Sequence, residues 1–144
     1  MKKDGCPYCH KGEALAKFGV LAFETKTSEV IVFKDQTYKG RVIVAYKDSH
    51  VGEIKDLNEQ ERNLFMKDVA DVANAIQAAY NPARINYGAF GDTLGHLHIH
   101  IVPKYEGGAD WGGMFVMNHG AESYASDEEI NEVIANLKKY YKES

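Results

Sequence analysis

The sequence lacks the features of several broad classes of protein. No apolar run approaches the roughly 20 residues that a membrane-spanning helix needs, so we expect no insertion into a membrane. Basic residues are not in excess, since 17 lysines and arginines stand against 21 acidic residues, and the net charge of −4 offers no general attraction to nucleic acid. Residues 1–5 contain no apolar segment like that of a signal peptide, and there are only two cysteines, so we expect a reducing, cytoplasmic location.

The first half of the chain has the pattern of strands followed by a helix. The length of 144 residues predicts a single domain, 1–144, that can bury a core without disulfides. Three short β-branched segments predict successive strands of an antiparallel meander, namely 20–23, 30–33 and 42–46. Residues 57–80 then repeat apolar side chains about every 3.6 residues, which predicts an amphipathic helix.

The second half predicts two more strands and a second main helix. The strands are residues 84–90 and the histidine-rich segment 95–104, and a glycine-rich loop follows at 106–113. Ser126 and Glu129 have the spacing of a capping box, so we expect the helix to begin there. About five antiparallel strands with two main helices indicate an α+β fold.

Three of the six histidines lie within five residues of one another. In an extended strand, successive side chains point to opposite faces, so His96, His98 and His100 share one face while aliphatic residues occupy the other. A single histidine is more often structural than functional. Three imidazoles on one face, however, are costly to bury unless each finds a partner. The pattern therefore predicts a functional site on this strand.

Cys6 and Cys9 allow three interpretations. The sequence Cys-Pro-Tyr-Cys is used by glutaredoxin-like dithiols, but such a pair follows a first strand, and only five polar residues precede Cys6. Two thiolates at this spacing also make half of a tetrahedral zinc site, which His50 and His96 could complete as a closed, structural site. Two free thiols with a solvent-facing His50 remain a further alternative.

The segment from His96 to Val102 resembles the His-φ-His-φ-His-φ-φ motif of the histidine-triad (HIT) superfamily of nucleotide hydrolases and transferases, where φ is hydrophobic. Roughly the first 105 residues fit that pattern. The resemblance implies a HIT-like fold in which His98 attacks the α-phosphorus of a nucleotide and forms a nucleotidyl-histidine intermediate. It also implies that His100 stabilises the charge on the phosphate.

The same resemblance implies several substrate-binding residues. Asn86, Thr93 and Lys104 match positions near the phosphate or sugar in the family, and Arg41 can pair with a phosphate. Two positions depart from the pattern. Asp92 stands where several hydrolases have glutamine, and Arg41 stands where many have a histidine of the triad network. An acid beside a polyphosphate would repel it.

The third histidine of the triad favours hydrolysis over group transfer, because the transferase branch has glutamine in place of His100. We therefore expect hydrolysis of a dinucleoside polyphosphate or a nucleoside phosphoramidate, with release of a nucleoside monophosphate. The resemblance also implies a homodimer. The alternatives are a nucleotide-binding or nucleotidyl-transferring protein with little hydrolysis and, third, a thiol oxidoreductase that uses Cys6 and Cys9.

Overall fold

The computed structural model describes residues 2–144, which form a five-stranded antiparallel sheet and three α-helices. The strands are β1 (Gly19–Glu24), β2 (Ser28–Phe33), β3 (Val42–Tyr46), β4 (Arg84–Gly88) and β5 (His98–Lys104), and the helices are α1 (Glu13–Ala16), α2 (Glu59–Tyr80) and α3 (Asp127–Tyr140). The spatial order of the strands is β1-β2-β3-β5-β4. Within residues 2–144, no helix is both long and apolar enough to cross a membrane.

The last strand is an inner strand of the sheet. β5 pairs with β3 on one side and with β4 on the other, and all seven of its residues are buried. Its register with β3 sets His98 opposite Ala45 and His100 opposite Ile43. His100 is therefore held between two strands, opposite Ile43 of β3 and Gly88 of β4, whereas His98, the first residue of β5, pairs with β3.

One face of the sheet carries the main core. Val30, Val44, Leu97, Ile99 and Ile101 pack there against the apolar faces of α2 and α3. Both helices begin with capping boxes, in which Asn58 and Ser126 accept hydrogen bonds from the backbone N–H groups three residues later. Successive side chains of β5 point to opposite faces of the sheet. Since its aliphatic residues are buried on this face, its histidines lie on the opposite face.

The opposite face is covered by irregular chain. The N-terminal segment packs on it with Tyr8 and Leu15, which lie against Ile31 and Ile43 of the sheet. Residues 105–126 also cross this face, and Ala125 returns a backbone hydrogen bond to Lys34 at the end of β2. The histidines of β5 are therefore enclosed between two segments that have little regular structure.

The predicted α+β fold, with about five strands and two main helices, is confirmed. Several strand boundaries differ from the prediction: β4 ends earlier, at Gly88, β5 begins later, at His98, and β1 and β2 are each two residues longer. His96 precedes the strand because the backbone of Leu97 bonds instead to Val51 and Tyr46. This detour turns the His96 ring towards the N-terminal cysteines.

Replacement of Ile101 by alanine should destabilise the fold strongly. The side chain is fully buried between the sheet and α2, so we expect the free energy of unfolding to fall by about 2–5 kcal/mol. Urea denaturation of the purified protein would measure the loss. Met66→Ala on α2, where 42% of the side chain is exposed, should change stability by only about 0.5 kcal/mol. Equal losses in the two variants would contradict this arrangement of the core.

Candidate functional site

A cavity of about 280 Å³ opens on the face of the sheet that carries the histidines. His98 and His100 form part of its wall, and most of the remaining wall is aromatic or aliphatic, including Phe18, Phe33 and Phe90. Three further lining residues are polar, namely Asp92, Thr93 and Asn118. An apolar space with two adjacent imidazoles suits a ligand that has a flat apolar part and a polar reacting group.

His98 is held in one tautomer by the backbone. Its Nδ1 lies 2.6 Å from the carbonyl oxygen of His96, and because a carbonyl can only accept, Nδ1 must carry the proton. The other ring nitrogen, Nε2, therefore has a free lone pair, and among residues 2–144 it has no hydrogen-bond partner. Burial lowers the pKa of His98, which favours this neutral form. His98 thus presents an unprotonated nitrogen to the cavity.

His100 lies beside His98, with the two ring centroids 5.3 Å apart. Its Nδ1 is 3.1 Å from a terminal nitrogen of Arg41, while its ring lines the cavity. Burial, the charge of Arg41 and the neighbouring His98 together lower the pKa of His100 to about 3. Both cavity histidines are therefore neutral near pH 7.

Tyr8 forms a wall of the site that the sequence did not reveal. Its ring is buried and packs at a centroid distance of 4.9 Å against His98 and 5.5 Å against His96. The only signal in the sequence was its place between Cys6 and Cys9, which ties it to wherever those cysteines lie. The segment that carries the cysteines therefore also fixes one side of the histidine pair.

Cys6, Cys9, His50 and His96 converge on one point, with their ligand atoms all within 4.8 Å of one another. The Nδ1 atoms of the two histidines are 3.1 Å apart, and the Cys9 sulfur is 3.2 Å from Nδ1 of His50 and 3.4 Å from Nδ1 of His96. Neighbouring ligands of a tetrahedral zinc ion with usual bond lengths are about 3.3–3.8 Å apart. The cluster has the composition and spacing of such a site.

A hydrogen bond to the backbone orients His96 as a metal ligand. Its Nε2 lies 2.6 Å from the carbonyl oxygen of Tyr46, so Nε2 must donate and Nδ1 keeps its lone pair. Nδ1 is the atom that faces the cysteines. An outer hydrogen bond of this kind orients metal-binding histidines in general. The residues present therefore fit a zinc ion.

Comparison with known proteins identifies the family. The family model of the HIT domain matches residues 18–107, which is more than half of the chain. The chain belongs to the HIT domain family. Protein hit of Bacillus subtilis (strain 168) is 24% identical to this HIT domain over 117 residues, which cover 76% of this chain and 78% of that protein.

Solved structures share the fold of this HIT domain. A histidine triad protein from Bradyrhizobium japonicum superposes with a TM-score of 0.81 at 22% identity, covering 92% of this chain and 98% of that one. A zinc-bound histidine triad family protein from Mycobacterium smegmatis gives a TM-score of 0.61 at 17% identity, covering 84% and 85%. At these sequence identities the similarity supports the fold alone, so the chemistry has to be inferred from the residues of the site.

The four candidate substrate-binding residues of this HIT domain do not lie together. Thr93 lines the cavity, whereas Asn86 lies on β4 outside its lining. Arg41 is fully buried behind His100 and does not line the cavity. Lys104 is also buried, and its ammonium donates to the carbonyl oxygens of Asp110 and Gly113 at 2.6 and 2.8 Å. Of the four, Thr93 alone lines the cavity. Arg41 and Lys104 are turned away from it and donate hydrogen bonds to backbone carbonyls of residues 105–126.

A hydrogen-bonded pair that the sequence did not indicate holds that segment in place. Asp35 is fully buried and accepts hydrogen bonds from the backbone and the ring of His119, both at 2.7 Å. The two residues are 84 positions apart, and neither belongs to a recognisable motif. Tyr38 adds a second tie, because its hydroxyl accepts from the backbone of Val116 at 2.7 Å. These contacts bring the segment to the edge of the cavity.

The surroundings of the cysteines do not suit a redox dithiol. Both side chains are buried, and burial raises the pKa of the Cys6 thiol, whereas an attacking thiol needs a lowered value. No helix begins at Cys6 to lower the pKa, since α1 starts at Glu13 and has only four residues. The geometry of this HIT domain thus favours metal binding over disulfide exchange.

The stability of the protein should depend on pH through His100. The unfolded chain binds a proton at this residue near pH 6.5, and the folded protein, whose pKa is about 3, does not. Between about pH 7.5 and about pH 5.5 the unfolded state therefore gains the proton alone, which should remove about 1 kcal/mol of stability. His100→Asn should lose this part of the pH dependence in denaturation experiments at the two pH values.

A matched variant controls for the other acid-sensitive groups. His10 is half exposed, so His10→Asn should retain the pH dependence of the natural protein. If His100→Asn and the natural protein lose stability equally on acidification, the buried neutral state of His100 is contradicted.

Proposed function

We propose that this HIT domain is a nucleotide hydrolase that acts at the α-phosphate of a dinucleoside polyphosphate or a nucleoside phosphoramidate. The observation that carries the proposal is the bond of His98 Nδ1 to the His96 carbonyl, which leaves Nε2 unprotonated at the cavity. Such a nitrogen is a nucleophile at neutral pH. Membership of the HIT family agrees with this chemistry.

In the first step, the Nε2 lone pair of His98 attacks the α-phosphorus in line with the leaving group. A P–N bond to His98 forms, and the bond from the α-phosphorus to the leaving group breaks. The leaving group departs with the bonding electrons and takes a proton from water. The product on the protein is a nucleotidyl-histidine, whose Nδ1–H keeps its hydrogen bond to the His96 carbonyl.

In the second step, water attacks the same phosphorus from the side that the leaving group has vacated. The P–N bond breaks, His98 recovers its lone pair, and the proton of the water passes to solvent. The nucleoside monophosphate then leaves. Throughout both steps His100, which lines the same cavity, would stabilise the phosphoryl oxygens by a hydrogen bond.

The aromatic wall of the cavity would bind the nucleoside. Phe18 and Phe33 line it on the side of β1 and β2, and flat rings of this kind pack against nucleobases. Thr93, which also lines the cavity, would contact the phosphate or the leaving group. The wall selects for a flat apolar group and does not distinguish one base from another.

We further propose that Cys6, Cys9, His50 and His96 bind a structural zinc ion. With four protein ligands such an ion has no open position, so it supplies shape and no step of the reaction. It would anchor the segment that carries Tyr8 and would fix His96, whose carbonyl holds the nucleophile.

The expected assembly and location also remain proposals. We propose that residues 1–144 form one domain that works in the cytoplasm as a homodimer. β4 is an edge strand of the sheet, and Tyr87 is exposed on it, so a second copy could pair with this edge.

One observation favours a second candidate, nucleotide binding or nucleotidyl transfer with little hydrolysis. Asp92 lines the cavity near the histidines, and its carboxylate would repel the additional phosphates of a polyphosphate. On this alternative the protein binds nucleotides and turns them over slowly.

Replacement of His98 by alanine tests the hydrolase directly. We expect the release of nucleoside monophosphate from phosphoramidates or dinucleoside polyphosphates to fall by about 10⁴-fold or more, because the nucleophile is lost. His10→Ala, which alters a half-exposed histidine outside the cavity, should retain full activity. Turnover that persists in His98→Ala would defeat the proposal, and binding without turnover in the natural protein would favour the second candidate.

Metal analysis tests the zinc site. Protein purified without chelators should contain about one zinc per chain, and Cys9→Ser should lose most of it because one of four ligands is weakened. His10→Asn is the matched control, since His10 follows Cys9 in the sequence but lies outside the cluster. An equal zinc content in Cys9→Ser and His10→Asn would refute the assignment.

A further inference from the structure

Arg41 is in an unusual position for a charged residue. It is fully buried, and its guanidinium lies over the ring of Phe33, 4.1 Å from the centroid. One terminal nitrogen contacts Nδ1 of His100 at 3.1 Å, and the other donates to the carbonyl oxygen of Val116 at 3.1 Å. These contacts fix the position of Arg41, and one of them is made to a histidine of the cavity.

This contact determines the tautomer of His100. A guanidinium has only donors, so Nδ1 of His100 must accept and cannot carry a proton. In a neutral imidazole the proton is then on Nε2, the other ring nitrogen of His100. We propose that Arg41 is a positioning residue that holds His100 as the Nε2–H tautomer, so that His100 is a fixed hydrogen-bond donor to a phosphoryl group in the cavity. The inference rests on the proposed hydrolase function.

The consequence is a division of roles between two neighbouring histidines. The carbonyl of His96 leaves His98 with a free lone pair on Nε2, and Arg41 leaves His100 with a proton to donate from Nε2. With either partner missing, each imidazole could exchange between tautomers, and only a fraction of the molecules would have one acceptor and one donor at the cavity. The two fixed contacts keep every molecule in the tautomers that give one acceptor and one donor.

The charge of Arg41 adds to the effect. Among residues 2–144, no carboxylate lies within 4.0 Å of its guanidinium, and its Nε is buried without a partner. Asp35 acts on the guanidinium from a greater distance, but burial outweighs this attraction and opposes the charged form. A phosphoryl anion on the far side of the His100 ring would offset that cost, while Asp92, which lines the same cavity, opposes any further negative charge.

Arg41 is also the charged group that dominates the surroundings of His100. The side chains packed around the imidazole from β2, β3 and the two loops are Phe33, Ile43, Phe90 and Phe115, none of which titrates. On its own strand His98 is the neighbouring titratable group. Loss of Arg41 should therefore change both the tautomer and the titration of His100.

Nitrogen NMR of the zinc-loaded protein with labelled histidine reads the tautomer without substrate. We expect His100 to have a protonated Nε2 and an unprotonated Nδ1 from about pH 5 to about pH 8. In Arg41→Met the signals should move towards a mixture of tautomers, and His100 should begin to titrate within this range. Arg41→Lys, which keeps a cationic donor, should restore part of the natural pattern.

Kinetics with a nucleoside phosphoramidate complete the test. Arg41→Met should lower kcat by about 10- to 100-fold with a smaller change in KM, and should add an acidic limb to the pH profile. Arg62→Met, at a half-buried arginine on α2, should leave kcat and the profile unchanged.

The outcomes separate the two proposals. A protonated Nδ1 on His100 in the natural protein overturns the inference, and so does an unchanged tautomer in Arg41→Met. Because the natural protein is read directly, the test holds even if Arg41→Met does not fold. A protein that shows the expected tautomer but never turns over nucleotides would defeat the proposed function alone.

Discussion

The hydrogen bond from Nδ1 of His98 to the carbonyl of His96 is the contact on which the site depends. It spans only two residues, and it decides which ring nitrogen is free to react. The carbonyl that accepts it belongs to a residue whose own side chain is held by Tyr46 and faces the cysteines. The candidate metal cluster and the candidate nucleophile are therefore linked within one short segment of backbone, and a disturbance of the first should reach the second.

The sheet gives this segment its rigidity. β5 lies between β3 and β4, so its aliphatic residues enter the main core on one face while His98 and His100 occupy the other. The histidine face is then covered by chain with little regular structure, with the N-terminal segment on one side and residues 105–126 on the other. Function in this fold depends on loops that are placed by a rigid strand.

The sequence predicted the parts of the site that have periodicity or a motif. The alternation in β5 predicted the histidine face, and the cysteine spacing predicted a cluster that the fold does bring together. It could not predict that Arg41 and Lys104 are buried, because this depends on how the glycine-rich segment folds back over the sheet. The pair of Asp35 and His119 was missed for the same reason, since it joins distant residues and has no local pattern.

The proposed hydrolysis depends on a covalent bond between Nε2 of His98 and the substrate. Rapid acid-free quenching of a reacting mixture, followed by peptide mapping with mass spectrometry, would locate the bond most directly. We expect a nucleoside monophosphate adduct on His98, on the nitrogen that faces the cavity, and we expect it to form and decay as fast as turnover. Turnover with no adduct on the protein, or an adduct on another residue, would contradict it.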